Sequence, residues 1–396
     1  MLEGSDLYSS LLTHHFSLHF GLELTDYGIM KHTPLYEAHV AHGGKLVDFA
    51  GWAMPLQYSG VLDEYQAVRT TAGLFDVSHM GRIQVDGADA VSYLQRVATN
   101  DVNTISPFNS QYSMICNSEG GVKDDIFVYR LAPEKFLLCV NGSNREKILD
   151  WLQQQCDPKT ENVQIDNQSN HLAQLALQGP AASTILRQEL GSDIEGLKPR
   201  QCAEMKLFGS PCLIARTGYT GERGYELYIP ANQALGIWEK LMAIGKVHGL
   251  KPTGLGARDL LRLDMGYFLY GNDLTEEITP IEAGAEWLVS WDKGPFIGDE
   301  VLKRQMEHGV SKRLVAFELL TKAVPRHGMK LVANGNEIGE IASGNLSPIL
   351  QKGIGLAYVQ PSYTEIGTTF DVEIRSRRVP AQVVKPPFYK KPKPTA

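Results

Sequence analysis

The stretch "TGYTGERGYEL", residues 217–227, sets two glutamates four residues apart among glycines and tyrosines. Either these carboxylates decorate a turn and a strand, or one of them grips a ligand. Gly218, Gly221 and Gly224 allow tight, unusual backbone angles around a turn. On the strand that follows, Tyr225, Leu227 and Ile229 share one face, and Glu226 and Tyr228 share the other. Glu222 falls in the turn, where solvation is expected. Period alone reads the face of Glu226 as the polar outer side of a half-exposed strand.

Three other positions could do chemistry. Arg258 lies in "ARDLLRLDMGYFLYGNDL" (257–274), and its helical neighbours at three and four residues are Gly254, Leu255, Leu261 and Arg262. None is a carboxylate, so no ion pair forms along the helix. An unpaired buried charge is costly, so Arg258 needs a tertiary partner. That partner is either a structural carboxylate or something functional: an anionic substrate or a catalytic acid. Asp101 in "VATNDVNTISP" stands just beyond a helix, where an aspartate also serves by bonding its own backbone. Asn117 in "CNSEGGVKDD" sits at a hairpin turn, equally comfortable as structure. Asp124 and Asp125 are adjacent, point to opposite strand faces and cannot form a paired carboxylate site.

Several chemistries are excluded by missing motifs. The chain holds no Walker loop, no strand-to-helix G-x-G-x-x-G, no H-E-x-x-H and no G-x-S-x-G. His39 and His42 make a weak metal signal, and no metal is expected. A net charge of −7 argues against nucleic-acid binding, which needs a basic stripe. No apolar run is long enough to span a membrane. The five cysteines are odd in number and form no C-x-x-C, which fits a reducing, cytoplasmic compartment. Residues 1–30 contain no Lys or Arg but several acids, unlike a signal or transit peptide. They read as an extension outside the fold, and His15 and His19 within it as solvated side chains.

The elements that must position these residues follow from periodicity. Helices are expected over 33–42, 61–71, 88–98, 144–156 and 181–190, and in "ALGIWEKLMAIGKVHG" and "LGARDLLRLDMGY". "KLVDFAGW", a segment from 74, "GRIQVDG", "QYSMIC", "IFVYRL", "KFLLCVN" and "LAQLALQ" read as strands. "CLIARTGYTGERGYELYIP" gives two strands around the glycine turn. Residues 74–155 alternate strands with two helices in the manner of an α+β sandwich. After about 311 only short strands with Gly, Asn and Pro turns follow, so an all-β terminal domain is expected.

The motifs together carry a resemblance. "TPLYEAHVAHGGKLVDFAGWAMPLQY", "FDVSHMG", "NDV", "NSEGGVKDD", "GYTGERGYEL", "GARDLLRLDMGYFLYGND" and "TPIEAGAEW" occur in this order. From His32 to Tyr389 the chain resembles the aminomethyltransferase (T-protein) family of the glycine cleavage system. The resemblance implies an α+β protein of three domains in a cloverleaf around a central folate channel. The first domain would be discontinuous, 31–73 with 156–290, and bind folate. The second, 74–155, would be a ferredoxin-like α+β sandwich, and the third, 311–390, a β-barrel or jelly-roll. The implied reaction moves the methylene of an aminomethyl group from the lipoylated H-protein to tetrahydrofolate. Its products are 5,10-methylenetetrahydrofolate, ammonia and dihydrolipoyl H-protein, and the enzyme would act as a monomer.

The same resemblance distributes roles. Asp101 matches the catalytic aspartate, which would stabilise a developing iminium cation and assist proton movement. Glu226 matches the carboxylate that accepts two hydrogen bonds from the pterin N3–H and 2-amino group. Asn117, Tyr219, Met54 and Tyr112 match folate-contacting positions. Arg258 matches a functional arginine that either holds Asp101 or binds ligand. Tyr389 and Lys390 fall in a C-terminal contact region where family members vary. Related folate proteins fit less well. An iron–sulfur assembly factor carries a cysteine where this chain reads "RTGYTGERGYE". Flavin-dependent relatives add a dinucleotide-binding half that is missing here. A stand-alone methyltransferase or demethylase with another donor is the alternative enzyme reading, and a non-catalytic folate scaffold is opposed by Asp101.

Overall fold

Residues 30–391 are described by a computed structural model. Apart from Met30, the expected extension with His15 and His19 therefore lies outside the described residues. The described chain forms two compact units. The first comprises 30–90, Ile105–Gln111 and Phe127–Asp259; the second comprises Val91–Thr104, Tyr112–Ile126 and 260–391.

The first unit is built on a six-stranded sheet. Its order is Cys202–Leu207, Ser210–Ala215, Gly224–Pro230, Leu172–Gln178, Ala72–Asp76 and Leu250–Pro252. The face read as apolar is the buried one: Tyr225, Leu227 and Ile229 enter a core with Ile185, Leu186, Ile237, Trp238 and Leu241. Those partners come from helices Ala182–Leu190 and Ala234–Gly245, whose apolar residues recur at helical spacing. "KLVDFAGW" is not one strand. Ala50 and Gly51 both take positive φ, 52° and 80°, and reverse the chain between Lys45–Phe49 and Trp52–Gln57. Two such residues suit a two-residue hairpin, whose twist matches its strands.

A buried acid ties the sheet to helix Tyr36–Ala41 and the residues leading into it. Asp76 accepts hydrogen bonds from Thr33 Oγ1 at 2.6 Å and the Ser78 amide at 2.8 Å, and lies 2.9 Å from His39 Nε2. Burial alone would raise its pKa, but these partners hold it down at about 2. The depressed value means that its stabilisation is complete above the unfolded pKa near 4 and is lost as pH falls towards 2. A stabilisation of roughly 2–3 kcal/mol should disappear over that window. Denaturation midpoints compared at pH 7 and pH 3 should show a smaller acid loss for Asp76→Asn than for the parent.

A second sheet runs in the order Asn109–Cys116, Val122–Ala132, Lys135–Val140, Gly81–Asp86 and Gln164–Asn167. Its first two strands pass from one unit into the other. Helix Arg145–Gln155 packs against it and buries Ile148 and Leu152. In the second unit, six strands close a barrel in the order Arg313–Leu319, Lys352–Val359, Asn336–Ser347, Lys330–Ala333, Thr369–Ile374 and Arg377–Val384. Phe317, Leu331, Ile341 and Val372 fill it. Closure leaves no exposed strand edge, which is why such short strands are stable. Helix Asp299–His308, which is not among the helices expected from the sequence, buries only Asp299 and Leu302 of its ten residues.

Candidate active site

Glu226 stands mid-strand, paired with Ala215 on one side and Ala176 on the other. Its face is not an outer one. Tyr228, on that same face, is buried in a cluster with Tyr129, Cys139 and Cys202. Two hydroxyls converge on one carboxylate oxygen: Thr217 Oγ1 donates to Oε2 at 2.5 Å and the Tyr129 hydroxyl at 3.3 Å. Tyr129 in turn accepts from Tyr228 at 3.1 Å, and Tyr228 from Gln174 Nε2 at 3.2 Å. Burial pushes both phenols well above their ordinary pKa, so they remain donors at neutral pH. Among the described residues no hydrogen bond reaches Oε1. The result is a half-buried carboxylate, fixed through one oxygen and open at the other.

The turn that precedes it is shaped by a side chain. Gln178 Nε2 donates to the Thr217 carbonyl, and Gln178 Oε1 accepts from Thr220 Oγ1. A Cβ at Gly218 or Gly224 would fall 2.0 or 2.4 Å from that amide group, so a larger residue at either position would displace the Gln178 side chain. Only Gly221 needs glycine for conformation, with φ +75°. Glu222 corrects the expectation of a solvated turn residue. Its carboxylate receives Arg69 Nη1 at 2.9 Å, and the two side chains are only 3% and 2% exposed. Arg69 also donates to the Thr220 carbonyl at 2.7 Å and lies over the Tyr65 ring. The turn is pinned to helix Val61–Thr70 by a buried ion pair.

Arg258 belongs to helix Leu255–Asp264 and is half-buried. Among the described residues no carboxylate is in ion-pair contact with it, so the structural salt bridge left open by its spacing does not form there. Its guanidinium instead lies 4.6 Å from the centre of the Tyr219 ring, a cation–π contact. Burial draws its pKa below the ordinary value, while Tyr219 and Glu226 favour the charge. His79 is fully buried nearby. Burial first, and the charge of Arg258 second, lower its pKa to about 3, so it is a neutral imidazole. Met54 is entirely buried, packed with Trp52 and with Leu255 at the start of the Arg258 helix.

In the second unit, Asp101 follows helix Ala90–Val97. Its Oδ1 accepts from Gln95 Nε2 at 2.7 Å and from the Asn103 amide at 2.9 Å. Its own amide donates to Asn100 Oδ1, and Asn100 Nδ2 reaches the Tyr112 carbonyl. The Tyr112 hydroxyl donates to Asp125 at 2.7 Å, and its ring lies 6.2 Å from that of exposed Trp287. Asn117 closes its hairpin turn, accepting from the Gly121 amide at 2.8 Å and donating to the Glu276 carbonyl at 3.1 Å. Tyr389 is buried, its amide bonded to the Asp264 carbonyl, while Lys390 is exposed.

The structure thus brings Tyr219 and Arg258 into contact and couples Arg258 electrically to Glu226. Three supporting residues escape sequence reasoning: Thr217, Tyr129 and Gln95. Thr217 had a usable signal, because a hairpin centred on its own turn returns Glu226 beside Ala215. Among the described residues no group of three or more His, Cys, Asp or Glu is placed to hold a metal ion. No described helix is long and apolar enough to cross a membrane.

The described chain combines a mixed α+β unit, whose glycine turn is held by a buried ion pair, with a closed six-stranded barrel. The GCVT N-terminal domain model matches residues 35–293, and the glycine cleavage T-protein C-terminal barrel domain matches 312–390. The chain belongs to the glycine cleavage T-protein family of aminomethyltransferases. It is 46% identical over 365 residues to an aminomethyltransferase of Bacillus subtilis, covering 92% of this chain and 100% of the relative. An aminomethyltransferase of Thermoanaerobacter is 44% identical over 363 residues, covering 91% of this chain and 98% of that one. Glycine cleavage system aminomethyltransferase T from Bartonella henselae superposes with a TM-score of 0.84 at 33% identity, covering 91% of this chain and 98% of that one. The α+β class and the C-terminal barrel expected from the sequence are both found.

Proposed function

We propose that this enzyme moves the methylene of the aminomethyl group on lipoylated H-protein to tetrahydrofolate, giving 5,10-methylenetetrahydrofolate, ammonia and dihydrolipoyl H-protein. One observation carries the folate part of this reading: Glu226 is fixed through Oε2 and open at Oε1. A pterin presents N3–H and its 2-amino group as two parallel donors, and a pre-oriented carboxylate accepts both. Tyr219, clamped beneath Arg258, offers an aromatic surface for a flat ligand. Arg258 supplies positive charge for an anionic group, and neutral His79 avoids placing a second cation beside it.

Asp101 supplies the charge that the transfer needs. A folate nitrogen bonds to the aminomethyl carbon as its C–S bond breaks and the lipoyl thiol leaves. Loss of ammonia from that carbon then leaves an iminium cation on the folate nitrogen, which the second folate nitrogen closes to the methylene bridge with loss of a proton. A carboxylate held in place stabilises that cation without reorganising. Its second role is to assist proton movement at the reacting nitrogens. The same reading places the enzyme in the cytoplasm, in keeping with its five free thiols, four of them buried.

H-protein loaded with the aminomethyl group and mixed with tetrahydrofolate should release ammonia and form methylenetetrahydrofolate. Absence of both products above background would overturn the reading. Glu226→Gln replaces an acceptor with a group that presents one acceptor and one donor. Folate binding should weaken by about 10–100-fold, the loss of one charge-assisted hydrogen bond. Unchanged folate affinity in a calorimetric titration would show that the pterin edge binds elsewhere.

A further inference from the structure

Helix Ala90–Val97 ends three residues before Asn100, and the segment that follows carries Asp101. The Gln95 side chain clasps that segment with both ends of its amide. Nε2 donates to Asp101 Oδ1 at 2.7 Å, and Oε1 accepts from the Val102 amide at 2.9 Å. These two bonds fix both the carboxylate rotamer and the backbone that carries it. Lys293, from a remote part of the sequence, then locks the helix end. Its ammonium donates to the Ala98 carbonyl at 2.6 Å and to the Gln95 carbonyl, two groups that the helix terminus leaves without helical partners. It also lies 4.7 Å from the Phe296 ring.

We infer that Gln95 is a positioning residue for Asp101, and that Lys293 anchors the helix end from which Gln95 reaches it. The inference rests on the proposed role of Asp101 in the transfer. Gln95 touches the carboxylate and not the reacting atoms, so its contribution is orientation. Lys293 is a cation set against the negative end of a helix and within the field of Asp101. Burial lowers its pKa to about 8, with Asp101 and Asp299 acting in the opposite sense. The ammonium is therefore mostly charged at neutral pH and loses its charge in mild alkali.

Gln95→Met keeps the length of the side chain and removes both hydrogen bonds. With loaded H-protein as donor, kcat should fall by about 10–100-fold while the KM for tetrahydrofolate and the melting temperature stay close to the parent. In an Asp101→Asn background the same substitution should change kcat little, because there is no longer a charge to aim. Lys293→Met should lower kcat, and Lys293→Arg should recover much of it by restoring a cation at the helix end. A parent enzyme without transfer activity, or an active Asp101→Asn variant, would count against the proposed function. An active parent, an impaired Asp101→Asn variant and a Gln95→Met variant at parental kcat would overturn the positioning role specifically. Equal losses from Gln95→Met with and without Asp101 would overturn it as well.

Discussion

Asp101→Asn should lower turnover by roughly 10²–10⁴-fold, the range over which a positioned acid–base or electrostatic group acts. Tetrahydrofolate affinity should remain within about threefold of the parent, because the charge is needed in the transition state and not in the bound complex. The substitution is well suited to separating these effects. Gln95 Nε2 and the Asn103 amide both donate to Oδ1, so they select the orientation in which an asparagine presents its carbonyl oxygen there. Those two hydrogen bonds are kept while the negative charge is lost. Single-turnover measurement of ammonia release, alongside equilibrium binding of tetrahydrofolate, reads the two quantities separately. A parallel fall in both would mean that Asp101 binds folate and does not act on the cation.

Arg69→Met should destabilise the first unit by about 3–5 kcal/mol, the usual cost of leaving one member of a buried ion pair alone. Glu222 would then be a buried carboxylate without its charged partner, and the Thr220 carbonyl would lose a donor. Relieving that buried charge would pull the glycine turn open. Since Tyr219 lies within that turn, folate affinity should fall together with stability. The melting temperature should drop by roughly 10 °C for a unit of this size. Adding Glu222→Leu should recover part of the loss, because an apolar pair of similar volume carries no uncompensated charge. A double variant less stable than Arg69→Met would show that the turn needs Glu222 for something other than its partner.

These two sites also show how far the amino-acid sequence could be read. Alternation assigned Tyr225, Leu227 and Ile229 to the core, because a strand's period is local and obligatory. It could not tell that the opposite face is covered. The covering residue, Tyr129, is 97 positions away, and no local pattern announces that it packs there. Glu222 departs from its expected solvation for a similar reason. A glutamate between glycines looks solvated until Arg69, 153 residues earlier, is brought to it. The glycines were legible as a turn but not in their reasons, since the Gln178 amide occupies the space of two missing β-carbons. The C-terminal strands were legible because short apolar runs between Gly, Asn and Pro turns leave few other choices. Residue roles at Asp101 and Glu226 came from the family resemblance. Spacing alone left both as ordinary structural positions.

Transfer of one carbon from H-protein to folate is followed by a ¹³C label in the aminomethyl group on the lipoyl arm, read by NMR after addition of enzyme and tetrahydrofolate. The label should move to the bridging methylene of 5,10-methylenetetrahydrofolate, with one ammonia released for each carbon moved, and should remain on the lipoyl arm when folate is omitted. Label that stays on H-protein in the presence of folate, or leaves as free formaldehyde at the same rate with and without it, would contradict the account.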